Sequence, residues 1–147
     1  MRLAIRGARC LLAVTLLASC GGDDSSGPGD PFPNAAGSYS IDAGFDGFTR
    51  TEASMTGSLN LTQASQATGT IGGDVDLTLT LEGDVSTLSD EPILASSVTP
   101  AGVVSFQLSG SGITWTFTGN LDGDEITGRH TLTDGSTTAS GDWRAER

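Results

Sequence analysis

The chain has 147 residues, with 18 acidic side chains against 7 basic ones and a formal net charge of −11. This acidity argues against a nucleic-acid partner, because binding to phosphates depends on lysine and arginine, and against side-chain contact with anionic lipid. The two cysteines, Cys10 and Cys20, lie near the amino terminus, which leaves the rest of the chain without a disulfide, a thiolate nucleophile or a cysteine metal site.

The first nineteen residues have the pattern of a secretory signal peptide. Three arginines accompany an apolar run over residues 10–18. Signal peptides have apolar runs of about 7–15 residues, whereas a helix needs about 20 residues to cross a bilayer. We therefore expect residues 1–19 to be removed, and the alternative is an uncleaved amphipathic anchor.

The apolar run ends in Leu17-Ala18-Ser19-Cys20, which resembles the lipobox of bacterial lipoproteins. The resemblance implies cleavage before Cys20 and attachment of acyl chains to this residue, and two or more chains anchor a protein stably where one does not. Gly21 follows the cysteine, whereas an aspartate there favours retention in the inner membrane. The resemblance therefore implies a lipid anchor in the bacterial cell envelope, at the outer membrane, and leaves the periplasmic or surface face open.

The rest of the chain divides into a linker and one domain. Residues 20–36 are predicted to be the lipidated cysteine and a flexible linker, because glycine, serine, aspartate and proline there carry little apolar surface. Residues 37–147 are predicted to form a single barrel-like β domain, since roughly 110 residues are enough for one hydrophobic core.

Apolar and polar residues alternate with period two in this domain, which indicates β-strands with one buried face. An example is the run of Val75, Leu77, Leu79 and Leu81, which alternate with polar residues. The predicted strands lie near 37–42, 55–62, 66–71, 75–82, 93–98, 102–109, 112–120, 124–132 and 137–145.

Glycine-rich turns separate the predicted strands. Asp122-Gly123 between two alternating runs is a strong hairpin signal, and turns are also predicted at Gly72-Gly73-Asp74 and Asp134-Gly135-Ser136. Residues 83–92 are predicted to be a longer polar loop that caps one end. This pattern predicts an all-β fold, an antiparallel meander of eight or nine strands closed into a small up-and-down barrel, with a β-sandwich as the alternative.

The predicted meander resembles the up-and-down barrels of lipocalins and avidins at the level of architecture. Gly37-Ser38-Tyr39 stands where those families often open their first strand with Gly-x-Trp, with tyrosine in place of tryptophan. Lipocalins often pack a late arginine across that aromatic ring, and Arg144, beside Trp143, is the arginine that we expect there. The resemblance implies a barrel with a lumen and names no ligand.

Five side chains are candidate linings of such a lumen: Tyr39, Phe106, Trp115, Phe117 and His130. The aromatic residues lie on alternating strands, and the parity of its strand predicts that the histidine faces inward. The alternative for all five is simple packing in the core, because the interior of a barrel of about eight strands is just wide enough to be filled by side chains.

We predict no catalytic activity, no cofactor and no bound metal. His130 is a lone histidine, for which the sequence identifies neither a triad partner nor further zinc ligands. The acidic residues Asp122, Asp124 and Glu125 lack the full EF-hand pattern of a calcium site, and turn formation and solubility explain them. Nothing in the sequence places two carboxylates across a cleft, as a glycosidase requires.

The sequence therefore predicts a non-catalytic envelope protein, anchored in the membrane by lipid at Cys20, that binds a small apolar ligand in a barrel lumen. The alternative is a structural or protein-interaction module, whose core is filled by side chains and whose function lies in its loops or a sheet edge. Interior volume distinguishes the two, and the sequence identifies no protein partner.

Overall fold

The computed structural model describes residues 31–110 and 112–147 of the chain. The predicted signal peptide, the lipidation site Cys20 and the predicted linker up to residue 30 lie outside these residues. Regular secondary structure in the described part is β-strand throughout. No helix in these ranges is long and apolar enough to cross a membrane.

Nine strands form one antiparallel sheet. Their bounds are Gly37–Gly44 (β1), Ala53–Thr62 (β2), Gly72–Leu81 (β3), Asp84–Pro92 (β4), Leu94–Val98 (β5), Val103–Gly110 (β6), Ile113–Asp122 (β7), Glu125–Asp134 (β8) and Thr137–Glu146 (β9).

The first and last strands of the chain, β1 and β9, pair with each other near the middle of the curled sheet. The strand order is β4-β3-β2-β1-β9-β8-β7-β6-β5, so that all pairs except β1 with β9 join strands that are consecutive in the chain. The two edge strands, β4 and β5, are themselves consecutive and are separated by Ile93 alone. The fold is a half-barrel, which confirms the predicted all-β antiparallel meander.

The two ends of the half-barrel differ in how they are joined. At one end, which we call the closed end, the N–H of Val98 donates to the carbonyl of Gly69 (2.7 Å) and the N–H of Ile93 donates to the carbonyl of Gly73 (3.1 Å). These bonds tie the last part of the β4–β5 segment to the start of β3. The opposite end, which we call the open end, carries the turn between Leu81 of β3 and Asp84 of β4. Here β4 pairs with β3 on one side and has no strand on its other side within the described sheet.

Residues 32–36 pack against the closed end. Ala35 is fully buried, its N–H donates to Gln63 Oε1 (2.9 Å), and its carbonyl accepts the hydroxyl of Tyr39 (2.9 Å). Phe32 packs against the core. These residues fall within the range predicted to be linker, yet they contact the domain, and they bring the chain into it at the closed end.

The inner faces of the strands enclose one hydrophobic core. Phe106 and Phe117 stack with ring centroids 4.8 Å apart, and the Trp143 indole meets both rings edge-on. Trp143 Nε1 donates to the carbonyl of Thr118 (3.1 Å), which satisfies the polar atom of this buried ring. Because the core and all the described strand pairs lie within residues 32–147, this part of the chain is a folding unit.

Three predictions about the segment between β2 and β5 are wrong. Residues 66–71 form a connection with one isolated bridge rather than a strand. Residues 83–92 are not a loop, because nearly all of them belong to β4, which pairs with β3 across a two-residue turn at Glu82-Gly83. Gly72-Gly73-Asp74 is not a turn, since these residues begin β3 and pair with the end of β2.

Candidate functional site

The open end of the half-barrel contains a cleft between β4 and the strands β6 to β8. Its volume is about 370 Å³, which falls within the range of about 300–1,000 Å³ found for ligand pockets. Most of its lining side chains are apolar. The cleft exists because no strand pairs with the free edge of β4 here, whereas at the closed end hydrogen bonds join Ile93 and Val98 to Gly73 and Gly69.

The β3–β4 hairpin forms one wall of the cleft. Leu77 pairs with Leu88, and Leu79 pairs with Ser86. Paired residues of an antiparallel ladder place their side chains on the same face of the sheet. Because Leu77 is buried in the core, this is the inner face, and the hairpin therefore turns Leu77, Leu79 and Leu88 into the cleft.

A row of side chains across β6, β7 and β8 forms the opposite wall. Leu108 pairs with Trp115, which pairs in turn with Leu132, and all three line the cleft together with Ile113. Trp115 is only 5% exposed, and its Nε1 is buried with no acceptor among the described residues. This wall therefore combines a large aromatic surface with an unsatisfied hydrogen-bond donor.

The apolar side chains at the rim of the cleft reach solvent. Leu88 is 37% exposed and Ile113 is 36% exposed, while Leu79 and Leu132 are half-buried. Transfer of such surface out of water is favourable by about 25 cal/mol per Å². A contiguous apolar surface rimmed by polar groups is typical of a binding site, and an occupant of this cleft would cover it.

Glu91 is the charged group of the cleft. It pairs with Val75, which is fully buried, and it lines the cleft from the inner face of β4. The remaining lining residues that the structure describes are uncharged and include no basic side chain. The cleft is therefore an apolar groove with one carboxylate in its wall.

The five candidate lining residues do not all reach the cleft. Trp115 lies on its wall. Phe106 and Phe117 stack on each other in the core, where neither is exposed. Tyr39 lies at the closed end and is only 2% exposed. Side chains thus fill the central interior. Of the five candidates, Trp115 alone lies beside the open space of the cleft.

His130 is buried among aromatic rings, as the parity of its strand predicts. Its Nε2 donates to the carbonyl of Gly44 (2.7 Å), since a carbonyl can only accept. Phe45 meets the imidazole edge-on at 4.9 Å and Phe117 stacks on it at 5.7 Å. Burial lowers the pKa of His130, so the ring is neutral near pH 7, and Nδ1 has no partner among the described residues. This geometry fits a core histidine.

The arginine that covers the Tyr39 ring is Arg147, and the expectation for Arg144 is wrong. The Arg147 guanidinium lies 5.0 Å from the Tyr39 ring centroid and donates to Asp124 (3.1 Å). Arg144 lies on the outer face of β9, where it forms ion pairs with Glu125 (2.6 Å) and with Glu146. The parity of β9 explains the difference, because Trp143 faces inward and its neighbour must face outward.

The acidic hairpin between β7 and β8 is engaged by arginines. Asp124 pairs with Arg147 and Glu125 pairs with Arg144. Within residues 31–110 and 112–147, no three His, Cys, Asp or Glu side chains are grouped so that they could hold a metal ion. These carboxylates therefore fasten the end of the chain to the sheet.

Sequence reasoning missed most of the cleft. Alternation predicts only that Leu77 and Leu79 are strand residues, and the predicted loop over residues 83–92 includes Leu88. Alternation could have shown which face of each strand carries these residues. It could not show where along that face the sheet stops closing, because closure depends on pairing between distant segments.

Comparison with family models, with curated proteins and with solved structures finds no match for this chain.

Proposed function

We propose that this protein is a non-catalytic binding module, held in the bacterial cell envelope by lipid at Cys20, that takes a small apolar or amphipathic ligand into the cleft at its open end. The observation that carries the proposal is the apolar cleft between Leu88 and Trp115. The filled interior around Phe106 and Phe117 restricts the ligand to this cleft. The proposed binding site is therefore this cleft and not a lumen that runs through the whole barrel.

The binding proposal is tested with the neutral fluorophore N-phenyl-1-naphthylamine, whose emission rises in apolar surroundings. Residues 21–147 are titrated as wild type, as Leu88→Gln and as Val85→Gln. Leu88 faces the cleft, whereas Val85 on the same strand pairs with Thr80 and faces outward. We expect saturable binding that Leu88→Gln weakens by about tenfold, a loss of about 1.4 kcal/mol, and that Val85→Gln leaves unchanged. Equal effects of the two substitutions would contradict the proposal.

The lipid anchor is tested separately, with Cys20→Ala in the complete chain. We expect the precursor to stay uncut and to incorporate no labelled palmitate, whereas the wild type is cut and labelled. Cleavage of the variant at the same site, or palmitate in it, would overturn the lipid anchor and leave the binding proposal intact.

A protein-interaction module is the second candidate, and the free edge of β4 favours it. An edge strand presents unpaired backbone groups that can pair with a strand of another chain, and the central core is filled. This candidate predicts that the fluorophore does not bind saturably, and that any protein partner binds less tightly when residues of β4 are changed.

A further inference from the structure

None of the described arginines lines the cleft. Arg50, Arg129, Arg144 and Arg147 each form an ion pair with a carboxylate on or beside β1, β8 or β9. The chain contains no lysine. No described cation therefore neutralises the side of the sheet that β4 occupies.

The acidic residues of β4 have no ion-pair partner in the described part of the chain. Asp84 and Asp90 are exposed on this strand, and Glu91 is half-buried in the cleft wall. All the ion pairs among the described residues involve other carboxylates. A negative potential is stronger beside a low-dielectric apolar wall than in open water, and Glu91 is a half-buried residue that lines such a wall.

The distance between Glu91 and the leucines of the cleft sets the length of a ligand that can contact both. Glu91 lies opposite Val75 and Leu88 lies opposite Leu77, because β4 bulges between them, so that the two side chains are about 7 Å apart along the strand. An extended apolar tail against Leu77, Leu79 and Leu88 would thus place a polar head group at Glu91.

We infer that the cleft selects amphiphiles with a cationic head, of the alkylammonium class, and rejects anionic amphiphiles such as fatty acids. This inference rests on the proposed function, since it specifies the ligand of the same cleft. The head group pairs with the Glu91 carboxylate, and the apolar tail covers Leu79, Leu88 and Trp115. A neutral amphiphile of equal length gains only the tail contacts.

The test compares three ligands with the same ten-carbon chain: decylamine, 1-decanol and decanoate, each below its aggregation concentration. Each ligand is titrated calorimetrically into residues 21–147 near pH 7, where a primary amine is protonated. We expect decylamine to bind at least about tenfold more tightly than decanoate, with 1-decanol between them, and we expect added salt to narrow the difference.

Matched variants separate the cleft carboxylate from the general acidity of the protein. Glu91→Gln should reduce the preference for decylamine severalfold, and Glu91→Asp should retain most of it. Asp122→Asn removes the same charge from an exposed residue at the closed end and should leave the preference unchanged. Circular dichroism of each variant confirms the fold before titration.

The outcomes distinguish this inference from the proposed function. Equal binding of the three ligands, tighter binding of decanoate, or an equal effect of Glu91→Gln and Asp122→Asn would overturn the cationic selectivity and leave a ligand-binding cleft. If none of the three ligands binds, both the selectivity and the proposed function fail.

Discussion

His130 connects the stability of the fold to pH at the scale of one residue. Its imidazole is enclosed by Phe45 and Phe117 and donates one hydrogen bond to Gly44. Burial holds its pKa below the ordinary value, and the hydrogen bond to Gly44 opposes this effect. The nearby Arg129 lowers the pKa further, whereas Asp46 and Asp142 raise it. The folded protein therefore resists protonation of this ring.

We predict that the free energy of unfolding decreases as the pH falls below about 6.5, the ordinary pKa of histidine. The unfolded chain then binds a proton that the folded chain does not, and the loss approaches about 1.4 kcal/mol per pH unit. Urea unfolding at a series of pH values measures this slope. His130→Phe should reduce this slope near pH 6, because no other histidine is present. An identical slope in the variant would contradict the assignment.

Gly141 provides the space that the bond between His130 and Gly44 requires. A Cβ atom at this position would lie 1.8 Å from the Gly44 carbonyl oxygen and 2.9 Å from His130 Nε2. We predict that Gly141→Ala lowers the free energy of unfolding by about 1–3 kcal/mol. In Gly110→Ala the added methyl group meets nothing within 4 Å, and we expect a change within about 0.5 kcal/mol. Similar losses in both variants, measured by thermal unfolding, would show that the close contact is unimportant.

Strand parity predicts which residues face inward, but it does not predict which of them line the cleft. Parity along its strand places His130 inside, and it places Trp115 on the face that lines the cleft. Parity cannot distinguish Trp115 from Phe117, which share a face of β7, because only the position of the opening leaves one at the cleft and the other in the core.

At the scale of elements, strands with a buried face were predictable and the edge strand was not. The runs that became β3, β7 and β8 alternate because one face of each packs on the core, and the hairpin signals at Asp122-Gly123 and Asp134-Gly135 coincide with the turns that flank β8. β4 carries little alternation, since most of its residues are exposed. Its strand conformation comes from pairing with β3, which no local pattern reports.

The turn between β3 and β4 offers a test of how firmly the edge strand is held. Glu82 and Gly83 both have positive φ, at 51° and 92°, as a two-residue hairpin turn requires, and asparagine-glycine is preferred over glutamate-glycine there. We predict that Glu82→Asn raises the free energy of unfolding by about 0.4–1 kcal/mol. Asp84→Asn removes the same charge outside the turn and should have a smaller effect. Thermal unfolding that ranks the two variants in the opposite order would contradict this reading of the turn.

In the molecule as a whole, one end of the half-barrel receives the chain from the amino-terminal side and the other end contains the cleft. Residues 32–36 enter the domain at the closed end, and the cleft opens at the other. If Cys20 carries the lipid, the chain enters the domain on the side of the anchor, so that on average the closed end lies nearer to the membrane than the cleft does. A ligand then reaches the cleft from the aqueous phase.

This orientation predicts a difference in distance from the bilayer. Fluorophores attached to Asp122→Cys at the closed end and to Ser136→Cys at the open end are separated by the ten residues of β8, about 33 Å. In lipidated protein reconstituted in vesicles, spin-labelled lipid should quench the Asp122→Cys fluorophore more strongly. Equal quenching at both positions would contradict the orientation.

A ligand held in the cleft at the open end should stay bound to the protein during gentle purification. Native mass spectrometry of residues 21–147, produced in the bacterial periplasm, can detect it. We predict a reproducible extra mass that denaturation releases, that Val85→Gln retains and that Leu88→Gln loses. A bare mass for the wild type, or an adduct that survives in Leu88→Gln, would contradict ligand binding in the cleft.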